Sequence, residues 1–218
     1  MTYQESFIQF MVNCGVLRFG NFTLKSGRKA PYFINAGNYN NGSQLLKLGQ
    51  YYATCIEDNK IPVETLFGPA YKGIPLATST AIAMADQYHK TVNFCFDRKE
   101  IKDHGEGGMF VGKTLEDHEK VVIVEDVITS GKAIGEVYPK LKQAADVDIT
   151  AVVISVDRKE RALEGNLSAI QSIQETYGIP AYSIVTIDDI IEAMQNDIVP
   201  GKEHLRDMLD YRAQYGVE

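Results

Sequence analysis

The sequence predicts an α/β protein built on an open, mostly parallel sheet flanked by helices, with a small N-terminal hood. Three observations carry that expectation. Short apolar runs at 65–68, 92–96, 120–124, 149–156 and 181–187 read as strands. Several of them are β-branched and lack polar alternation, as strands covered on both faces do. Segments 74–88 and 131–145 have helical spacing, and in the second Ile134, Val137, Tyr138 and Leu141 share one face. Alternating strand and helix patterns predict βαβ units, whose site lies beyond the carboxyl ends of the strands.

Ahead of that series, Thr2 and Glu5 have capping-box spacing before Phe7, Ile8, Phe10 and Met11, which predicts an amphipathic helix ended by Gly15. An apolar run at 19–24, the turn Ser26-Gly27-Arg28 and the segment 31–35 read as a hairpin-like or irregular hood. Leu45, Leu46, Leu48, Tyr52, Ala53 and Ile56 then resume helical spacing. No repeat, low-complexity tract or linker divides the 218 residues, so a single domain is expected, with hood elements at about 15–42 and a core at about 60–190.

Composition excludes several classes of function. Hydrophobic residues at 44% and charged residues at 23% exclude a largely disordered chain. Twenty-two Lys and Arg against 29 Asp and Glu give a net charge of −7, which opposes nonspecific binding to nucleic acid or anionic lipid, so a phosphate site has to be locally basic. Cys14, Cys55 and Cys95 form no C-x-x-C pair, which argues against a disulfide framework or a zinc site and fits free thiols in a reducing cytoplasm. The first ten residues carry no basic leader pattern, and no run approaches the ~20 apolar residues of a membrane span. The expectation is a cytoplasmic protein without membrane or nucleic-acid partners.

Five constellations carry chemistry. The first is Val121-Val122-Ile123-Val124-Glu125-Asp126-Val127-Ile128-Thr129-Ser130-Gly131-Lys132-Ala133. A buried strand ends in two carboxylates, and a hydroxyl- and glycine-bearing turn opens a helix. Unpaired N–H groups at that helix start suit a phosphate monoester, while the acids can accept from sugar hydroxyls or offset positive charge developing on a sugar. The implied ligand is a phosphorylated sugar; the plain alternative is a pair of solvated strand-end acids and an N-cap. The second, Phe67-Gly68-Pro69-Ala70-Tyr71-Lys72-Gly73-Ile74-Pro75, has Walker-like glycine spacing, but Ile74-Pro75 replaces the Lys-Ser/Thr that an NTPase loop needs. The third gathers Arg98, Lys99, Lys102 and His104 before Gly105, Gly107 and Gly108, joining phosphate-neutralising groups to a pliant backbone, as a closing lid would. The fourth, Lys25-Ser26-Gly27-Arg28 with Phe33 and Ile34 beyond it, reads by itself as a basic turn before a strand. In the fifth, Arg158 follows another strand end, where a guanidinium could take a carboxylate through two parallel hydrogen bonds or simply lie on the surface.

The first constellation resembles the 5-phosphoribosyl-1-pyrophosphate (PRPP) signature of type I phosphoribosyltransferases, with Glu-Asp where many members have Asp-Asp. Tyr71-Lys72-Gly73 resembles the pyrophosphate loop of that fold. The run from Arg98 to Gly108 resembles the catalytic loop of the orotate phosphoribosyltransferases, and the segments at 24–35 and 156–161 resemble their hood and their orotate-contacting strand end. The resemblance implies a type I phosphoribosyltransferase fold, with orotate and PRPP as substrates and orotidine 5′-monophosphate and pyrophosphate as products. It assigns PRPP contacts to Lys25, Tyr71, Lys72, Arg98, Lys99, Lys102, His104, Glu125, Asp126, Val127, Ile128, Thr129, Ser130, Gly131, Lys132 and Ala133. Orotate contacts fall to Phe33, Ile34, Thr129 and Arg158; Ile34 stands where the family often has a second Phe. Catalytic roles fall to Lys102, His104 and Asp126, with the choice of proton carrier between Lys102 and His104 left open. It also implies Mg²⁺ carried mainly by PRPP, with no metal site of the protein's own, and a homodimer whose lid and Lys25 serve the neighbouring subunit's site. A purine phosphoribosyltransferase, a non-catalytic PRPP-responsive regulator and a receiver-like signalling domain stay open at this level; the first has no evident use for Arg158, and the others leave the lid unexplained.

Overall fold

A computed structural model describes residues 1–24, 26–102, 108–128, 132–162 and 165–217, with backbone only at 100–102, 108 and 132. The chain opens with α1 (Tyr3–Asn13), whose capping box is complete: Glu5 N–H donates to Thr2 Oγ1 and Thr2 N–H donates back to Glu5. The antiparallel strands β1 (Leu17–Thr23) and β2 (Lys29–Ile34) form the hood as a separate two-stranded sheet, and α2 (Gly42–Asp58) follows.

The series β3 (Thr65–Phe67), α3 (Gly73–Tyr88), β4 (Asn93–Lys102), β5 (Gly108–Gly112), β6 (Lys120–Glu125), α4 (Lys132–Ala144), β7 (Asp148–Asp157), α5 (Ala169–Tyr177), β8 (Ala181–Thr186), α6 (Ile187–Gln195) and α7 (Leu205–Tyr215) builds the main body. The six-stranded sheet runs β5-β4-β3-β6-β7-β8, with β5 antiparallel to β4 and every other pairing parallel.

Side-chain alternation explains why the strands read as continuous apolar runs. Leu66, Val122, Val124, Ala151 and Val153 enter one core, against the α1–α3 side, while Phe67, Val121, Ile123, Val152 and Ile154 enter a second core with Ile134, Val137 and Leu141 of α4 and Ile173 of α5. Both faces of the sheet are covered, so apolar side chains dominate the central strands, and the buried Thr65 and Ser155 are hydrogen-bonded.

Two parts of the fold differ from the expectation. The charged segment after residue 96, read as a lid loop, continues β4 to Lys102 and returns as β5, with an irregular register between Asp97 and Lys102. Beyond Cys95 this stretch of β4 has lost β3 as a neighbour and pairs with β5 alone, so its charged residues break the apolar pattern that marks the central strands. Helices α5, α6 and α7, which the strand-and-helix series did not include, divide between the two faces, α5 on the second core and α6 and α7 on the first.

Candidate active site

The strand order reverses between β3 and β6: from β3 the chain moves outward to β4, whereas β6 leads the other way to β7 and β8. The crevice beyond their carboxyl ends is the switch point where open α/β sheets bind ligands. Two of the sequence constellations leave the sheet there.

The turn after β3 is held by backbone packing. A Cβ on Gly68 would lie 2.1 Å from the Gly73 carbonyl oxygen, and one on Gly73 would lie 2.6 Å from the Gly68 carbonyl carbon, so the Walker-like spacing reflects two glycines packed on each other where strand passes into helix. Gly68 N–H donates to the Cys95 carbonyl and Gly73 N–H to that of Pro69. The turn presents Tyr71, 71% exposed, and Lys72.

The turn after β6 begins with the acid pair. Glu125, 9% exposed, accepts from Asp126 N–H at 3.0 Å, and its own carbonyl accepts from the buried Tyr52 hydroxyl at 2.6 Å. Burial and then the neighbouring Asp126 charge raise the Glu125 carboxyl to about 7, against the Asp126 N–H and Lys72. Asp126 is fixed through its carbonyl, which accepts from Ser155 Oγ at 2.6 Å and from Ser155 N–H at 3.0 Å. Its carboxylate faces the crevice and accepts from Lys72 Nζ at 2.8 Å. The two turns therefore meet, lysine against acid, across the switch point. Ile128 is turned into the second core and Ala133 lies exposed in the first turn of α4. Lys25, His104, Thr129, Ser130 and Gly131 lie outside the described residues, as do the side chains of Lys102 and Lys132.

Of the other basic groups, Lys99 lies beside the first turn, and Arg158 and Arg28 lie at the end of β7. Lys99 Nζ lies 6.0 Å from the centre of the Tyr71 ring, which brings β4 beside the first turn; Arg98 is half-buried on the same strand. Beyond β7, the Arg158 guanidinium sends Nε to the Tyr32 hydroxyl at 2.9 Å and to Glu160 Oε1 at 3.0 Å, while Nη2 donates to Glu160 Oε1 at 2.7 Å and Oε2 at 3.0 Å. Burial works against this cation, but Tyr32 and Glu160 outweigh it and hold it charged. One edge of the fork is thus occupied by Glu160, and the Nη1 edge makes no hydrogen bond among the described residues. Arg28 completes the hood's grip on this strand end, with Nη1 donating to the Arg161 carbonyl at 2.9 Å.

Phe33 and Ile34 take different faces of β2. The Phe33 ring stacks on Phe22 at 5.5 Å beneath Arg18, whereas Ile34 packs into the first core on the side of Tyr32. Sequence reasoning singled out neither Tyr32 nor Glu160. Glu160 is two residues past Arg158 in a charged run, so its position was available as a partner for that guanidinium, but Tyr32 joins it only through the fold.

Residues 36–182 match the phosphoribosyl transferase domain family. An orotate phosphoribosyltransferase of Pseudomonas putida strain F1 is 52% identical over 215 residues, covering 99% of each chain. One from Lachnoclostridium phytofermentans is 47% identical over 222 residues, covering 99% of this chain and 98% of its own. The crystal structure of an orotate phosphoribosyltransferase from Francisella tularensis, 39% identical, superposes with a TM-score of 0.87 over 97% of this chain and 100% of that one. Agreement at this level in sequence and in backbone, over nearly the whole length, means that the chain belongs to the orotate phosphoribosyltransferase family.

Proposed function

We propose that the chain transfers the 5-phosphoribosyl group of PRPP to orotate, giving orotidine 5′-monophosphate and pyrophosphate, a step of pyrimidine (UMP) biosynthesis. The observation that carries the reading is the Lys72–Asp126 contact, which joins the glycine turn and the acid-bearing turn at the switch point of the sheet.

In the reaction the bond from the ribose anomeric carbon to pyrophosphate breaks, a ring nitrogen of orotate bonds to that carbon, and that nitrogen loses its proton. Residues 129–133, leading into α4, hold the 5-phosphate through main-chain donors. Glu125 and Asp126 accept from the ribose hydroxyls and offset positive charge on the sugar as the leaving group departs. Lys72, with Tyr71 and Lys99, orients the pyrophosphate, so substrate binding exchanges the Lys72–Asp126 contact for two ligand contacts. Arg98, Lys102 and His104 stabilise the leaving pyrophosphate, with Lys25 adding charge from the hood. Arg158 offers its Nη1 edge to the orotate carboxylate, steadied by Glu160 on the other edge; Phe33, Ile34 and Thr129 complete the base contacts.

Mg²⁺ is carried mainly by PRPP. It would keep several waters and bind mainly through phosphate oxygens, with no metal site of the protein's own. When bound, it spreads the negative charge of the pyrophosphate.

The working form is a homodimer in which the segment bearing Lys102, and Lys25, serve the neighbouring subunit's site. A mixed dimer of a Lys102 variant and an Asp126 variant should regain activity through one competent site, and no recovery would remove the shared-site reading. Free thiols at Cys14, Cys55 and Cys95 support a reducing cytoplasm, and among the described residues no helix is long and apolar enough to cross a membrane.

The test is ultraviolet monitoring of orotate with PRPP and Mg²⁺, using uracil and hypoxanthine as controls. Orotate should be consumed and the controls left untouched. Turnover of hypoxanthine in preference, or PRPP binding without pyrophosphate release, would overturn the assignment.

A further inference from the structure

Asp97 is a deeply buried carboxylate for which the reaction has no direct use. It lies in β4 one residue before Arg98 and is 3% exposed. A carboxylate taken from water needs partners, and this one has two from different elements. Ala70 N–H, in the turn after β3, donates to Oδ1 at 2.8 Å, and Lys140 Nζ, on α4, donates to Oδ2 at 2.7 Å. One side chain therefore ties together β4, the turn that presents Tyr71 and Lys72, and the helix that begins at the second turn.

The turn at 69–72 lies outside both the strand and the helix it connects. Its ends are held by Gly68 N–H on the Cys95 carbonyl and by Gly73 N–H on the Pro69 carbonyl. Between those points Ala70 N–H is anchored by Asp97. A lone carboxylate there would repel an anionic ligand at the turn. The Lys140 ammonium at 2.7 Å offsets that charge while fixing the rotamer.

We propose that Asp97, held and neutralised by Lys140, is a positioning residue that sets the 69–72 turn so that Lys72 and Tyr71 face the pyrophosphate end of PRPP. This rests on reading that turn as the pyrophosphate loop. Pyrophosphate and orotidine 5′-monophosphate separate the two halves of the site, because the nucleotide carries the ribose, the 5-phosphate and the base but no pyrophosphate.

The experiment is calorimetric binding of pyrophosphate with Mg²⁺, and of orotidine 5′-monophosphate, to the full-length wild type and to Asp97→Ala, Lys140→Met and Lys72→Ala. Asp97→Ala should weaken pyrophosphate about tenfold or more and the nucleotide less than about twofold; Lys140→Met should weaken pyrophosphate roughly three- to tenfold with the same selectivity. Lys140 is only partly buried, so its variant carries the test if Asp97→Ala fails to fold. Wild-type pyrophosphate affinity in Lys140→Met or a folded Asp97→Ala, alongside a loss in Lys72→Ala, would overturn the positioning role and leave the loop reading standing. Equal weakening of both ligands would also overturn it, marking the pair as a general structural brace. Unchanged pyrophosphate affinity in Lys72→Ala would instead show that the loop reading has failed, and the inference with it.

Discussion

Glu125→Gln should change how stability depends on pH, by an amount set by where the carboxyl sits. Burial, then the Asp126 charge, raises it from 4.5 to about 7 in the folded chain. A carboxyl whose folded value lies above its unfolded one takes up protons on folding. Its contribution is fully present below the unfolded value and is lost as pH rises through the folded one, here between about 4.5 and 7. The span from 4.5 to about 7, at ~1.4 kcal/mol per pH unit, corresponds to roughly 3 kcal/mol. About 2 to 3 kcal/mol of that falls between pH 5 and pH 8. Glutamine does not titrate, so the stability of the wild type minus that of Glu125→Gln should fall by that amount over the range. Urea denaturation of both proteins at pH 5, 6, 7 and 8 measures it directly. Parallel curves, with a difference constant to about 0.5 kcal/mol, would refute the placement of a strained acid at the switch point.

Arg158→Lys keeps the charge but cannot hold Glu160 on one edge and a substrate carboxylate on the other. The KM for orotate should rise about tenfold or more while that for PRPP stays within about twofold, and an equal rise in both would contradict the assignment. Gly68→Ala places a Cβ 2.1 Å from the Gly73 carbonyl oxygen, a backbone atom that cannot move aside. A loss of roughly 1–3 kcal/mol in thermal or urea unfolding is expected, and a neutral effect would show that the turn is looser than its packing indicates. Lys102→Ala should lower kcat by ~10²-fold or more and weaken orotate binding far less, as expected of a contact made in the transition state. Unchanged turnover would remove that segment from the mechanism.

The parallel core was legible because burial on both faces leaves a plain signature: Val121, Val122, Ile123 and Val124 all read as apolar although they enter two different cores. The strand end at the acid pair was legible for a related reason, since an abrupt change from apolar strand to Glu125-Asp126 marks a carboxyl end. Edge structure was harder. Beyond Cys95, β4 has lost β3 as a neighbour and carries the exposed Lys99 and the buried, ion-paired Asp97, and charge alone reads as loop. The C-terminal helices carried signals that went unused: Ser168 with Gln171 and Thr186 with Asp189 form capping boxes, and Ile187, Ile190, Ile191 and Met194 keep helical spacing. The roles of Tyr32, Asp97, Lys140 and Glu160 depend mostly on partners distant in sequence. Asp97 meets residues 27 and 43 positions away, and Tyr32 meets Glu160 across 128 positions. No local pattern encodes such meetings; the crossover that sets β3 between β4 and β6 creates the first of them.

A crystal soaked with PRPP and Mg²⁺ reads the arrangement most directly. The 5-phosphate should sit at the start of α4 on the main-chain donors of 129–133, with the ribose hydroxyls on Glu125 and Asp126 and the Lys72 ammonium moved from Asp126 to the pyrophosphate. Density for PRPP away from the β3–β6 crevice, or a crevice left empty at saturating ligand with Lys72 still on Asp126, would contradict it.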